Sequence, residues 1–329
     1  MVDHSPTAPQ ARPGRRTLLC VLDWGLGHAS RSLALLHRLE AGGETVVLAS
    51  SGPARAFLVR ECPGRTIHTL PPYRVTYPTR LMEWNVAVQL PRWLTTIWRE
   101  RRCTAKLVKA TGVDRVVSDN RFGCYAPGTP SVFLTHQLHP ITGNRLVSAL
   151  YRRYLQRFDA FWVPDYPAPD RRLSGELSDG RGYRGVHYLG PLSRLTPPAR
   201  PATPFGTLAL LSGPEPMRSR LEQAVLARLA HAAGRHVLVR GLPHGAPPLV
   251  GVPANVVVHA FADAALLPDL LAGADRIVCR SGYSTLMDVA AVTDLAKLTL
   301  APTPGQTEQV YLAHRLVERV GCRYWGVDG

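Results

Sequence analysis

The chain has 329 residues, enough for two domains at about 100–200 residues each. Its 45% hydrophobic and 19% charged residues are ordinary for a globular protein, and no apolar run approaches the ~18–20 residues of a membrane-spanning helix. The net charge of +15 favours anionic partners: nucleotide phosphates, an acidic membrane face or nucleic acid. Only Lys106, Lys109 and Lys297 among the 39 basic residues are lysine, so an arginine-biased composition accounts for the charge as well as a function does.

Residues 1–16, rich in Pro and Arg without an apolar stretch, read as a disordered basic tail. Thr17–Asp23 reads as a strand, followed by a helix from His28 to Glu40, a strand at Thr45–Ala49, a helix at Ala54–Arg60 and a strand at Thr66–Leu70. A long helical region, Leu81–Ala110, precedes strands at Asp114–Ser118 and Ser131–Thr135, a helix at Arg145–Arg157 and a strand at Ala160–Val163. The Pro-rich stretch 191–205 reads as a linker after a lobe spanning 17–190. Alternation restarts in a second lobe, 206–329. Its strands are Thr207–Leu211, His236–Val239, Val256–His259, Arg276–Cys279 and Ala296–Leu300; its helices are Met217–Ala232, Leu266–Ala272, Ser284–Val292 and Gln306–Val320. The expected architecture is α/β, two doubly wound Rossmann-like lobes facing a cleft that holds the ligand. Six well-separated cysteines without a CxxC pair speak against zinc and disulfides and for a reduced, cytoplasmic setting.

Four strand-to-helix junctions carry candidate chemistry. Asp23-Trp24-Gly25-Leu26-Gly27-His28-Ala29-Ser30-Arg31 joins the first strand to its helix: Gly25 and Gly27 permit a tight turn and close ligand approach, and the helix N-terminus offers free N–H groups. It is not GxGxxG, and no acidic residue closes the second strand, so a dinucleotide site is not expected. Arg280-Ser281-Gly282-Tyr283-Ser284-Thr285 brings three hydroxyls and a glycine to the head of another helix, where a diphosphate fits, with Asp288 one turn on as an acceptor for ribose hydroxyls. Pro302–Gln309 forms a similar junction in the next unit, and Ser212-Gly213-Pro214-Glu215-Pro216-Met217-Arg218 reads either as a phosphate-facing turn or as a Pro-stiffened hinge. In the first lobe, Asp119, Asn120 and His136 end strands, as acceptor-positioning groups or as polar loop caps.

The segment Cys279–Asp288 is similar to the donor-binding signature of glycosyltransferase family 28, whose best-known member is the bacterial N-acetylglucosaminyltransferase of the lipid-linked peptidoglycan precursor. The resemblance implies the B-type glycosyltransferase fold and a UDP-sugar co-substrate, with no further cofactor. The diphosphate would lie at Gly282–Thr285, Asp288 on the ribose, Phe261 and Ala262 against the uracil edge, and Arg194 near the phosphates. Gln309 takes the place of the second of two sugar-contacting glutamines, with Glu308 where the family has the first. Gly25-Leu26-Gly27-His28 resembles the acceptor-side loop with one glycine fewer and an added Arg31. The segments around His28, Asp119 and His136 also look like a bacterial group known only as predicted glycosyltransferases.

The mechanism implied is an inverting, metal-independent transfer of a hexose or N-acetylhexosamine, with His28 as base, Asp119 the second candidate, and Arg194 or Arg218 aiding the leaving diphosphate. A nucleotide-sugar hydrolase or epimerase on the same fold, and a non-catalytic nucleotide-sugar or RNA-binding protein, stay open, although no nucleic-acid motif is present. Leu90, Trp93, Leu94, Ile97 and Trp98, beside Arg92, Arg99, Arg101, Arg102, Lys106 and Lys109, read either as the core face of a lobe helix or as an interfacial helix for an anionic membrane. The second alternative places the enzyme at the inner face of the membrane with a lipid-linked acceptor. Pro91 is expected to break this segment.

Overall fold

The computed structural model describes residues 12–74, 82–141, 145–242, 245 and 247–325. The chain divides into two compact units, the first ending at Leu192 and the second beginning at Ser193. Residues 1–11 of the expected tail lie outside the described residues. Arg12 and Gly14 are tied to the first unit through Glu44 and the Gly43 carbonyl.

The first unit runs β1 (Arg16–Val21), α1 (Leu26–Ala41), β2 (Thr45–Ser50), α2 (Gly52–Glu61), β3 (Ile67–Thr69), α3 (Met82–Thr111), β4 (Arg115–Asp119), β5 (Ser131–Leu134), α4 (Arg145–Leu155), β6 (Ala160–Val163) and β7 (Val186–Tyr188). The strands form one parallel sheet in the order β3-β2-β1-β4-β5-β6-β7. Leu18, Leu19, Cys20 and Val21 of β1 are all fully buried, because both faces of the sheet are covered. Leu19 and Val21 pack with Leu33, Leu36 and Leu39 of α1, while Leu18 and Cys20 pack with Cys103, Leu107 and Val108 of α3.

The second unit runs β8 (Phe205–Leu210), α5 (Met217–Leu229), β9 (His236–Val239), β10 (Val256–His259), α6 (Leu267–Gly273), β11 (Ala274–Cys279), α7 (Tyr283–Val292), β12 (Leu298–Leu300), α8 (Thr307–Val320) and β13 (Arg323–Tyr324). Its parallel sheet has the order β10-β9-β8-β11-β12-β13. The expected strands and helices are present. The three-residue β7, the two-residue β13 and a 3-10 turn at Gly175–Ser178 are additions that carry no periodicity of their own. The break expected at Pro91 is absent: α3 continues through it.

Between residues 88 and 100, α3 presents polar side chains inward and part of its apolar stripe outward, an inversion of the usual order. Gln89, Thr96 and Glu100 face inward, whereas Leu94 is 56% exposed and Trp98 52% exposed. A buried network explains the inversion. Glu100 accepts from Arg121 Nε (2.6 Å), the Tyr73 hydroxyl (2.8 Å) and the Gly123 N–H (2.9 Å). Arg121 also donates to the carbonyls of Val21 and Pro71, so one ion pair ties α3 to the loops after β1, β3 and β4. An ionised pair in a dry interior needs such complete hydrogen bonding, and α3 must present polar atoms to supply it.

Candidate functional site

In the first unit, β1 and β4 are neighbours, with Val21 opposite Asp119. From β1 the strand order continues to β2 on one side, and from β4 to β5 on the other. In an open parallel sheet this divergence of crossovers is where loops part and ligands bind. Gly25 has φ +77°, a left-handed conformation that a side chain would strain, and it swings the chain into α1. Gly27 and His28 lie in the first helical turn, where no side chain caps the free N–H groups.

His28, Arg31 and Ser32, three and four residues apart, share one face of α1. All three converge on Asp119, which is fully buried at the end of β4. His28 Nδ1 lies 3.0 Å from Asp119 Oδ1, Arg31 Nε donates to Oδ2 at 3.1 Å and Nη2 to Oδ1, and Ser32 Oγ donates to Oδ2 at 2.8 Å. Burial alone would raise the Asp119 carboxyl, but the charge of Arg31 and then His28 hold it far below the usual carboxylate range. For His28, burial and the Arg31 guanidinium push the imidazole below its ordinary value against the pull of Asp119. His28 retains 17% exposure. Its Nε2 has no hydrogen bond among the described residues.

Asn120 takes φ +53°, a left-handed position that Asn tolerates. It follows Asp119 and precedes Arg121, one committed to the α1 cluster and the other to Glu100. His136, after β5, presents Nδ1 to Arg31 Nη1 at 3.3 Å. Trp24, 37% exposed, meets Tyr73 at 5.8 Å and Trp93 at 5.5 Å between ring centroids, forming an aromatic wall beside the Gly25–His28 turn. Arg31, Ser32, Tyr73 and Glu100 were not among the site residues read from the sequence. The 28/31/32 spacing held the signal for the first two.

In the second unit the equivalent neighbours are β8 and β11, with Leu210 opposite Cys279. Arg280 donates to the carbonyls of Ala301 (2.9 Å), Pro302 (3.0 Å) and Met217 (2.6 Å), which pins together the loops after β8, β11 and β12. Gly213, at φ +104°, lies close to Thr303: a side chain added there would sit 3.8 Å from its hydroxyl. Gly282 heads α7 with no side-chain cap and open space around it. Ser284 and Thr285 are partly exposed in the first turn of α7, whereas Tyr283 is buried in the core. Asp288 accepts from Ser193 Oγ at 2.6 Å; burial pushes its carboxyl up to about 6, against Ser193 and the Arg194 charge, which pull it down.

Three polar groups singled out in the sequence are occupied within the protein. Ser281 Oγ donates to the Gln309 carbonyl at 2.7 Å. The Gln309 amide accepts from the Thr303 N–H at 2.8 Å and donates to Gln306, bracing the turn that leads into Glu308. Arg218 is bound to Glu215 (2.6 Å) and Glu222 (2.8 Å) and is 5% exposed, a scaffold ion pair and not a cation free to meet phosphate. Phe261 is partly buried and Ala262 buried where β10 turns toward α6, and Asp263 accepts the N–H groups of Ala265 and Leu266 there. Among the described residues no cluster of three or more His, Cys, Asp or Glu is arranged to hold a metal ion.

No protein-family model matches the chain. It is 24% identical over 318 aligned positions to an uncharacterized glycosyltransferase of Methanosarcina mazei, an alignment covering 89% of this chain and 81% of the relative. Among solved structures, the glycotransferase of kitacinnamycin superposes with a TM-score of 0.63 at 19% identity, over 95% of this chain and 86% of that one. MurG of Acinetobacter baumannii superposes with a TM-score of 0.55 at 13% identity, over 95% and 85%. The fold is the B-type glycosyltransferase fold. In its terms, the His28–Asp119 cluster sits at the switch point of the N-terminal Rossmann-like unit, and the Arg280-braced loops sit at that of the C-terminal unit. The resemblance expected from Cys279–Asp288 is met at the level of fold.

Proposed function

We propose that this protein is a glycosyltransferase that moves a hexose or N-acetylhexosamine from a UDP-sugar to an acceptor hydroxyl, in one inverting displacement. The observation that carries the reading is the His28–Asp119 pair at the head of α1. With its proton on Nδ1, directed at Asp119 Oδ1, the neutral ring leaves the unbonded Nε2 to take the acceptor proton as the sugar bond forms. Asp119 has both oxygens occupied and no exposure, which suits it to holding the ring and not to touching the acceptor.

The donor half of the reading draws on the second unit. The uncapped head of α7 at Gly282, with Ser284 and Thr285, suits a diphosphate that gains negative charge as it leaves. Asp288 suits the ribose hydroxyls. The apolar outer face of α3 and the exposed Leu146, Val147 and Leu150 of α4, beside Arg92, Arg99, Arg101, Arg102, Arg152 and Arg153, support an acceptor met at an anionic membrane face.

The test is product analysis with a panel of UDP-sugars, with and without alcohol, phenol and lipid-linked acceptors. UDP release should depend on acceptor and yield a glycoside of inverted anomeric configuration. His28→Ala should lower turnover by about 10²–10⁴-fold while leaving UDP affinity unchanged. Free sugar released equally well without acceptor would make the protein a hydrolase and end this reading.

A further inference from the structure

We infer that Arg31 sets the charge state of the catalytic pair: its guanidinium, buried between Asp119 and the rings of His28 and His136, keeps His28 neutral and fixes it against Asp119, which makes Arg31 a positioning residue. The inference rests on the reading of His28 as the base for its consequence in catalysis, but not for its physical content.

The geometry is specific. Arg31 is 2% exposed. Its fork grips both oxygens of Asp119, the parallel two-bond arrangement in which guanidinium and carboxylate are strongest. Nη2 also lies 2.9 Å from His28 Nδ1, and Nη1 lies 3.3 Å from His136 Nδ1. One planar cation therefore lies against the carboxylate and both imidazoles, and by gripping both oxygens of Asp119 it holds that carboxylate in place for the Nδ1–H of His28.

Among the described residues, three charged or titratable groups act most on His28. Arg31 comes from its own helix, Asp119 from β4 and His136 from the segment after β5. Asp119 and Arg31 already balance, one negative against one positive charge. A proton added to His28 would place a second cation 2.9 Å from the first, with both sharing the one carboxylate of Asp119. The N-terminal turn of α1, with its own partial positive charge, opposes that proton too. The downward displacement of the His28 imidazole, caused by burial and then by Arg31, agrees with this count. The consequence is a base that stays unprotonated below the pH at which an ordinary imidazole is lost. Without the arginine, burial alone would be left to oppose the carboxylate, which raises the ring.

The experiment is a pH titration of the full-length protein labelled with ¹⁵N and ¹³C at histidine, followed by NMR. His28→Ala assigns the signal. In the wild type, His28 should titrate below the ordinary imidazole value of about 6.5. Arg31→Lys retains a cation and should keep it low. Arg31→Met should raise the midpoint by about one pH unit, a tenfold gain in proton affinity. A wild-type midpoint at or above about 6.5 overturns the inference, as does an unmoved midpoint in a folded Arg31→Met protein. If Arg31→Met does not fold, Arg31→Gln, which is uncharged but keeps hydrogen-bond donors for Asp119, is titrated in its place and read by the same criterion. Should the protein prove not to transfer sugar, the titration stands or falls independently.

Discussion

Asp288 carries a carboxyl displaced to about 6 by burial, so its ionisation should be legible in nucleotide binding. Ribose hydroxyls donate to a carboxylate and gain much less from a carboxylic acid, so the form that binds is the one above about pH 6. The sign follows: UDP affinity measured by calorimetry should be constant at neutral pH and fall as pH drops through about 6. Asp288→Asn should bind more weakly at pH 7.5, by about 1.5–3 kcal/mol for one lost charge-assisted hydrogen bond, and lose the pH dependence. Thr285→Ala should weaken binding as well. Unchanged affinity in both folded variants would remove the nucleotide from this part of α7. His28, Asp119 and Asp288 were each visible in the sequence as polar residues at strand ends or helix heads. That Arg31 joins His28 to Asp119 and His136 was not, because those two partners lie 88 and 105 residues away.

At the scale of the element, α3 decides most. Its stripe of Leu90, Trp93, Leu94, Ile97 and Trp98 was open to two readings, core face or membrane face, and it divides between them: Leu90, Leu94 and Trp98 are exposed, whereas Trp93 and Ile97 are partly buried, Trp93 against Trp24. Periodicity locates an apolar stripe but not the side that turns inward; here the buried Glu100–Arg121 pair claims the inner side. Vesicle sedimentation should find the protein pelleting with anionic lipid, less so at raised salt. Leu94→Gln with Trp98→Gln should cut that binding about tenfold or more, since burying one such side chain is worth about 1.5–3 kcal/mol. The melting temperature should hardly move, because neither residue is in the core. Wild-type protein that stays in the supernatant at low salt rules out the membrane as partner.

At the scale of the whole molecule, each unit has its own sheet and its own buried clusters, and the two candidate sites belong to different units. Hydrogen exchange with UDP present should therefore slow the amides of 211–217, 280–285 and 302–309, the loops that Arg280 braces, and leave 23–31 unchanged. Protection centred on 23–31 instead would reverse the roles given to the units. The alternation of strand and helix, the buried type of each strand and the glycine-marked junctions were local properties of the chain, and they determined two Rossmann-like units with candidate sites at strand ends. Strand order, the short edge strands β7 and β13, the passage of α3 through Pro91 and its inverted face were settled only by tertiary contacts. So was the duty of each polar residue: Arg218, Ser281 and Gln309 look like ligand groups in sequence but spend their hydrogen bonds inside the protein. The reason is physical. Hydrophobic period and turn chemistry are encoded within a few residues, whereas the partner of a buried charge is chosen by whichever element folding brings within about 3 Å of it.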